Sequence, residues 1–274
     1  MQFETHQIGA PYDQYVEAIF HYKGFVPDHS IERVVPTGHI FVLFELDDMV
    51  RHTFDNETLK PNAEYRGAWV SGMHRHYISI STHPDSEMFV IQFKPFGAHP
   101  FFHVPIENLN GQVISAEVLF AEELTAMRGA LIEAATSAEK FQLAEAWLHR
   151  RFRQSLCPPQ ELLKLMDALY LEPAAKYQEI IEDYPNTQKH LIEQFKKYVG
   201  LTPKQLQRII RFNSILQRIH QKEKIQWSDV AYECGFSDQS HFIKEFRHFS
   251  GFNPAEFMDK QHHQDEPNFF PLDR

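Results

Sequence analysis

The chain has 274 residues, of which 43% are hydrophobic and 23% are charged, as in an ordinary globular protein of one large domain or two smaller ones. Its formal net charge of −10 argues on average against a nucleic-acid partner, and the two cysteines, Cys157 and Cys234, form neither a disulfide pattern nor a metal pattern. No apolar run approaches the roughly 20 residues that span a bilayer, and the N-terminus lacks the basic and apolar regions of a signal peptide. We therefore expect a soluble, cytoplasmic protein with no membrane partner.

Short apolar runs separated by turn residues fill the segment from Pro36 to His103. Examples are HIFVLFEL, YISISTH and MFVIQFKP, which are rich in Phe, Val and Ile. Such runs predict β-strands in a sandwich or a small barrel. From Ser115 to Arg153 the apolar residues recur at spacings of three and four, which predicts helices. Residues 1–156 are thus predicted to be a β-barrel domain with a helical appendix.

The second half of the chain is predicted to be all-α, which makes the protein α+β as a whole. The proline pair in CPPQ at 157–160 ends a helix and stiffens a connection, so we expect the linker there. Residues 157–262 then form the helical domain. Residues 263–274 are a tail that is either loose or docked on the body through Phe269 and Phe270.

One pattern occurs twice in the helical half. Residues 188–203 read QKHLIEQFKKYVGLTP and residues 239–254 read QSHFIKEFRHFSGFNP, with Gln, His, Ile, Phe, Gly and Pro at matching places. In each copy a polar start (Asn186 or Thr187; Ser237) precedes a helix with apolar residues four apart, and Gly200 or Gly251 follows where a left-handed residue ends a helix. A Thr-Pro or Asn-Pro pair then starts the next helix. Because a short apolar helix precedes each copy, the sequence predicts two helix-turn-helix units.

The segment between the copies predicts an amphipathic connecting helix. Its apolar residues lie on one broad side, and the other side carries the basic residues Lys204, Arg208, Arg211, Arg218 and Lys222. About 18 helical residues at roughly 1.5 Å each give a spacer of about 27 Å, somewhat less than the roughly 34 Å of one turn of B-DNA. Between Pro185 and Ser250 there are 11 Lys and Arg against 6 Asp and Glu. A basic island on an acidic chain indicates a module that meets a polyanion, the alternative being a plain solvated helix face.

A family resemblance rests on these same residues. GLTPKQLQRIIRFN (200–213), followed by DVAYECGFSDQSHFIKEFRHFSGFNPAEF (229–257), resembles the C-terminal DNA-binding region of the AraC/XylS transcriptional regulators. The resemblance covers both helix-turn-helix units and is densest in the second. More weakly, the N-terminal half resembles the cupin-like β-barrel domains with which such regulators sense ligands or form dimers. The resemblance implies that one chain reads two successive major grooves of double-stranded DNA.

Candidate DNA contacts follow from the outward face of each second helix. Phe242 and Phe246 are expected to face inward. Four residues near the helix start then face outward: Gln239, Ser240, Ile243 and Lys244. Gln pairs adenine through two hydrogen bonds, and Lys reaches guanine or a phosphate. We further predict phosphate contact by Arg208 and Arg211 of the connecting helix.

In the first unit, Lys189, Ile192 and Glu193 occupy the positions that contact DNA in the family, as the resemblance implies. Glu193 departs from the basic residue that many relatives carry. A carboxylate there accepts a hydrogen bond from cytosine N4, or it repels phosphate and weakens the first unit.

An enzyme is the main alternative to a DNA-binding protein. His74, His76, His83 and Glu87 lie in the β-rich half, and a metal-dependent cupin-type enzyme would need about such a set. The spacing is poor, since His76 and His83 are seven positions apart in the sequence. We therefore predict no catalytic residue, no metal and no cofactor, with these side chains on the rim or outer face of the barrel.

Three further partners are considered. The aromatic residues of the barrel either line a pocket for a small-molecule effector or form its core: Phe20, Phe41, Phe44, Trp69, Phe89 and Phe93. The amphipathic segments 121–135 and 139–153 predict a homodimer through the N-terminal domain, the alternative being that both helices cover the barrel. RNA polymerase is a possible partner of a transcription regulator.

Overall fold

A computed structural model describes residues 2–220, 225–260 and 268–273 of the chain. In chain order its strands are β1 (Gln2–His6), β2 (Val16–Phe25), β3 (Ile31–Val34), β4 (Ile40–Glu45), β5 (Arg51–Phe54), β6 (Pro61–Tyr65), β7 (Ala68–Ser71), β8 (Ile78–Ser81), β9 (Ser86–Phe93), β10 (Val113–Ser115) and β11 (Phe269–Pro271). They pair antiparallel in two sheets, sheet I with the order β1-β2-β9-β4-β7-β10 and sheet II with the order β11-β3-β8-β5-β6. The three quoted apolar runs form β4, β8 and β9, as predicted.

Alternation along β4 gives sheet I two apolar faces. Ile40, Val42 and Phe44 are fully buried in the main core, whereas Phe41 and Leu43 point the other way and pack around Trp69. Successive side chains of a strand point to opposite faces, so one strand serves both clusters. The second cluster, which we call the Trp69 cluster, includes Tyr65 of β6, whose ring centroid lies 5.9 Å from that of Trp69.

Helices cover the main-core face of sheet I. They are α1 (His99–Phe102), α2 (Glu117–Phe120), α3 (Glu123–Glu133) and α4 (Ser137–Arg151). Thr136 and Glu139 form a capping box that begins α4, and the apolar sides of α3 and α4 bury Leu131, Trp147 and Leu148 completely. The helical appendix is therefore confirmed. The apolar surface of these helices is largely buried within the chain. The amphipathic pattern that led to the homodimer prediction is therefore explained by the alternative, in which both helices cover the β-rich domain.

The C-terminal half is helical. It contains α5 (Gln160–Leu171), α6 (Tyr177–Ile181), α7 (Gln188–Val199), α8 (Pro203–Ile219), α9 (Trp227–Glu233), α10 (Gln239–Ser250) and α11 (Pro254–Lys260). The pairs α6–α7 and α9–α10 are the two helix-turn-helix units, and α8 connects them. Of the predicted linker at 157–160, the first three residues lie between a short 3₁₀ helix (Gln154–Leu156) and α5, and the fourth, Gln160, begins α5. The α+β class with a β-rich first half and a helical second half is confirmed.

Local sequence signals set the ends of the repeated helices. Gly200 and Gly251 follow α7 and α10 with φ of +84° and +75°, the left-handed conformation predicted for them. Thr187 caps α7, because its hydroxyl accepts a hydrogen bond from the His190 amide. Ser237 does not begin α10. The next residue, Asp238, has that role, and its carboxylate accepts from the His241 amide at 2.8 Å.

Residues 268–273 follow the docked alternative for the tail. They supply β11, which pairs with β3, and the side chain of Phe270 is fully buried with its ring centroid 4.3 Å from that of Phe257 in α11. The Asp273 carboxylate accepts hydrogen bonds from the amides of Ser30 (3.0 Å) and Ile31 (2.9 Å). The remaining tail residues, 263–267 and 274, lie outside the described residues, as does Lys222 of the basic stripe.

Both repeated helices end against the N-terminal half. The Gly200 carbonyl accepts a hydrogen bond from Asn110 Nδ2 at 2.9 Å. The second glycine, Gly251, lies so close to Arg33 and Tyr77 that a Cβ on it would fall 2.7 Å from the Tyr77 ring. The starts of α7 and α10 are exposed. Each repeated helix is thus held at its C-terminal end and free at its N-terminal end.

Candidate nucleic-acid interface

The outward face of α10 is polar and open. Gln239, Ser240 and Lys244 are all exposed, while Phe242 and Phe246 are buried, as the helical spacing predicts. No described residue makes a hydrogen bond or ion pair with these three side chains within the structure described. They are free to meet a ligand that approaches the start of the helix.

An aromatic core fixes the orientation of α10. The Phe246 ring contacts Phe212 of α8 at a centroid distance of 5.4 Å and Phe257 of α11 at 4.9 Å. Trp227 of α9 packs on Phe242 at 5.8 Å. Because such buried aromatic pairs hold ring positions closely, the exposed face of α10 has one direction. Phe195 and Phe246 are buried, and Gly200 and Gly251 end their helices in the left-handed conformation, so all four residues have structural roles.

The outward face of α7 carries paired charges. Lys189 is 88% exposed, and its Nζ lies 4.0 Å from Glu193 Oε1 one turn further along the helix. Ile192 is half-buried beside them. An exposed pair of this kind contributes little stability, but it offsets the positive charge of Lys189. Glu193 therefore reduces the net positive charge that the start of α7 offers a polyanion.

Arg208 and Arg211 are engaged within the chain. Arg208 donates from Nε to Glu245 Oε2 (2.9 Å) and from Nη2 to Glu245 Oε1 (2.7 Å), a two-point ion pair between α8 and α10. Arg211 donates from Nε to the Pro173 carbonyl at 3.2 Å and lies over the Phe236 ring. Burial lowers the pKa of the Arg211 guanidinium. The sequence placed both residues on α8 but did not reveal these partners.

One helix holds both units in register. Gln207 is buried and donates to the Ala175 carbonyl (2.8 Å) just before α6, while Arg208 on the next position pairs with Glu245 of α10. Consecutive residues of α8 thus bind the two helix-turn-helix units. At roughly 1.5 Å per residue, its 17 residues make a rod of about 25 Å. The spacing between the two exposed helix starts is set by this rod.

The four candidate metal ligands do not share a site. His74 is hydrogen-bonded to Ser71 Oγ (3.0 Å), His83 to Ser81 Oγ (3.2 Å) and Glu87 to His21 Nε2 (3.0 Å), whereas His76 lies against His248 of α10. Burial lowers the pKa of His74 to about 4. Within the described parts of the chain, no group of three or more His, Cys, Asp or Glu side chains is placed to hold a metal ion. The enzyme alternative therefore finds no constellation in these residues.

The six aromatic residues predicted either to line a pocket or to form the core divide between the two clusters of the N-terminal half. Phe44, Phe89 and Phe93 are fully buried in the main core. The other three, Phe20, Phe41 and Trp69, belong to the Trp69 cluster, in which Phe20 and Phe41 are only partly buried. At its edge the Trp69 indole donates from Nε1 to Glu45 Oε1 at 2.9 Å. This face of sheet I thus combines open aromatic surface with a buried charged group.

Within the described ranges, no helix is long and apolar enough to cross a membrane.

Comparison with known proteins identifies a helix-turn-helix domain in the helical half. Residues 186–260 match a family described as a helix-turn-helix domain, and residues 9–115 match a domain of unknown function, DUF6597. The chain is 26% identical over 151 residues to the HTH-type transcriptional activator RhaS of Salmonella schwarzengrund, covering 53% of this chain and 45% of RhaS. RhaS of Salmonella newport matches with the same values. The chain thus spans about half the length of the curated relatives it matches.

Among solved structures, ToxT of Vibrio cholerae O395 is 14% identical with a TM-score of 0.43, covering 94% of this chain and 97% of ToxT. Wild-type ToxT of Vibrio cholerae strain SCE256 with a bound unsaturated fatty acid is 11% identical with a TM-score of 0.43, covering 88% of this chain and 94% of ToxT.

The fold belongs to the class in which two helix-turn-helix units on one connecting helix lie next to a β-rich half. Its helical region is similar to that of the AraC/XylS regulators, and the resemblance predicted from the sequence is confirmed.

Proposed function

We propose that the protein is a sequence-specific transcription regulator that reads two successive major grooves of double-stranded DNA with one chain. The observation that carries this proposal is the pair of exposed helix starts held on α8 by Gln207 and Arg208. A helix of this kind enters the major groove with its N-terminal residues toward the base edges. Only the N-terminal ends of α7 and α10 are open for such contact, because their C-terminal ends abut the N-terminal half.

The proposed contacts divide by function. Gln239, Ser240 and Lys244 read bases or bind phosphate in the half-site under α10, and Lys189, Ile192 and Glu193 do so under α7. Arg208 and Arg211 act chiefly as positioning residues, since Glu245 and the Pro173 carbonyl engage part of each guanidinium. The donors that remain are available to a phosphate.

We expect one chain to protect two major-groove segments on the same face of the duplex, with centres about one helical turn, or roughly 10 base pairs, apart. A rod of about 25 Å is shorter than the helical turn of about 34 Å, so the DNA bends toward the protein or the second groove is engaged less fully. The measurement is a footprint of the full chain on a selected site. Protection of a single groove would contradict the two-reader proposal, and two patches on opposite faces would contradict the rod geometry.

Substitution of the α10 face tests the base contacts. Gln239→Ala and Lys244→Ala are each expected to weaken specific binding by about 1–3 kcal/mol, because each removes a contact to one half-site. Titration of the selected duplex and of single-base variants measures this loss. Lys60→Ala removes an equally exposed charge from the turn between β5 and β6 and should bind normally. Unchanged affinity of both α10 variants would reject the assignment.

A small-molecule effector is proposed to act through the Trp69 cluster. Its support is the partly buried aromatic surface of Phe20 and Phe41 beside the charged pair of Glu45 and Arg51. Aromatic side chains with a few polar groups placed among them are what line the binding sites of small molecules such as aromatic compounds or sugars. Homodimer formation and contact with RNA polymerase also remain proposals for a regulator of this class. The metal-dependent enzyme is not favoured by any cluster described above.

A further inference from the structure

We propose that the N-terminal half takes part in DNA binding through a cluster at the domain boundary, in which the Arg75 guanidinium, with the imidazole groups of His76 and His248 of α10, binds a backbone phosphate. This inference rests on the proposed DNA-binding function and extends it beyond the two helix-turn-helix units. The ligand is a phosphate of the duplex next to the half-site under α10. Four observations lead to it.

First, the loop between β7 and β8 lies against the reading helix. The rings of His76 and His248 meet at a centroid distance of 4.3 Å and an angle of 64°. At the end of the loop, Tyr77 packs against Arg33, whose guanidinium carbon lies 4.0 Å from the ring centroid. Arg33 in turn donates from Nη1 to the Ser250 carbonyl at the end of α10, at 3.2 Å. The loop is therefore fixed to α10.

Second, the loop meets α10 on the side of its DNA-facing residues. His248 follows Lys244 by four residues, so the two side chains lie on one side of the helix about one turn, or roughly 5.4 Å, apart. A major groove is about 12 Å wide, and its phosphate backbones flank a helix inserted in it. The side of α10 that carries Lys244 and His248 therefore leads, toward the end of the helix, to the loop that carries Arg75.

Third, the cluster offers one exposed arginine and two imidazole groups and is poor in carboxylates. Arg75 and His76 are exposed, and Arg75 has no hydrogen bond or ion pair with any residue that the structure describes. Burial lowers the pKa of His248, with smaller contributions from His76 and Arg208, and a lowered pKa favours the neutral imidazole, which offers a ring N–H donor rather than a charge. Glu245 opposes this effect, but its two oxygens are engaged by Arg208. An arginine without a counter-ion among the described residues, next to two imidazole groups, suits a phosphate.

Fourth, the position is set by the fold rather than by a mobile side chain alone. An exposed arginine is ordinary on a protein surface. This one is carried by a loop that Arg33 holds with its guanidinium between the Tyr77 and Phe252 rings, at 4.0 Å and 4.4 Å. Because the loop cannot move away without breaking that arrangement, Arg75 approaches DNA whenever α10 does.

The test is the salt dependence of binding by the full chain, measured on the selected duplex and on an unrelated duplex. Arg75→Ala is expected to weaken binding to both by the same factor and to reduce the slope of log K against log salt by about 0.9, the value for one phosphate contact. The ratio of the two affinities should not change, because a phosphate contact carries no sequence information. Arg75→Lys should retain the slope, since it keeps the charge.

Arg66→Ala is the matched control, because Arg66 is an exposed arginine at the opposite end of β7. Its slope should equal that of the unaltered protein. If the unaltered protein binds the selected duplex and Arg75→Ala keeps the full slope, the cluster proposal is overturned while the proposed function stands. A loss confined to the selected duplex would also overturn it, since that loss indicates a base contact. Failure of the unaltered protein to bind any duplex would remove both proposals.

Discussion

Arg51→Met is expected to lower the free energy of unfolding by about 3–5 kcal/mol at neutral pH, because it leaves a buried carboxylate without its cation. Glu45 is fully buried, and Arg51 donates to its Oε2 from Nε at 2.7 Å. Arg51 also bridges to Asp47, from Nη2 to Oδ2 at 2.8 Å. Methionine fills a similar volume without charge. The decrease in the free energy of unfolding therefore measures the effect of the unpaired carboxylate and not that of a cavity.

The pH dependence of this loss of stability shows whether it comes from the unpaired Glu45 carboxylate or from lost packing. Burial raises the pKa of the Glu45 carboxyl above its ordinary value, and Arg51 acts against that increase. Without Arg51 the pKa of Glu45 rises further, so its ionised form opposes folding above the ordinary carboxyl pKa of about 4.3. As the pH falls toward that value Glu45 takes up a proton in the folded state, and the deficit of the variant should shrink.

Denaturant unfolding at neutral and acidic pH measures both effects. The double variant with Glu45→Gln and Arg51→Met should recover most of the stability, because the buried charge is then absent. Arg150→Met, at an exposed position of α4, should change stability by no more than about 0.5 kcal/mol. A deficit for Arg51→Met that is the same at both pH values would contradict this account and indicate lost packing.

Phe270→Ala is expected to cost about 3–5 kcal/mol, the usual loss for a fully buried phenylalanine. Its ring contacts Phe257 of α11 at 4.3 Å and Phe252 at 6.4 Å, while its backbone belongs to β11 in sheet II. The side chain thus joins the second helix-turn-helix unit to the N-terminal half. Its loss leaves a cavity in that junction and should lower the denaturation midpoint of the C-terminal half most strongly.

Phe269→Ala provides the control for this prediction. Phe269 precedes Phe270 in the same strand, so its side chain points to the other face, and it is only partly buried. The same chemical truncation should therefore cost clearly less. Equal losses for the two variants would show that the strand pairing, rather than the packing of Phe270 on Phe257, is what the tail contributes. Hydrogen exchange in α10 and α11 would locate the effect.

Local signals allowed several features to be predicted from the sequence. The left-handed glycines Gly200 and Gly251 and the inward face of Phe242 and Phe246 depend on residues within a few positions of one another. The cap of α10 is Asp238 rather than the predicted Ser237. Both residues have side chains that can cap a helix. The exact path of the backbone decides which of them accepts a hydrogen bond from the His241 amide.

Contacts between distant residues were not predictable in this way. Arg208 was placed on the outward side of α8 by periodicity, but its partner Glu245 lies in another helix, and nothing in the spacing of either residue marks the pair. His76 was considered as a metal ligand with His74, yet its ring neighbour is His248, far along the chain. Side-chain chemistry suggested candidates, and only the folded chain selected among them.

The sequence by itself determined the two helix-turn-helix units, the rod between them and the β-rich first half, because each depends on hydrophobic periodicity and on caps within a single element. The tertiary structure decided how these parts are joined. It placed Phe270 under Phe257, Arg33 between Tyr77 and Phe252, and the loop of Arg75 beside α10. Those contacts bring together residues that are remote in the chain. Their stability comes from burying shared apolar surface and from satisfying buried polar groups, neither of which leaves a periodic trace in the sequence.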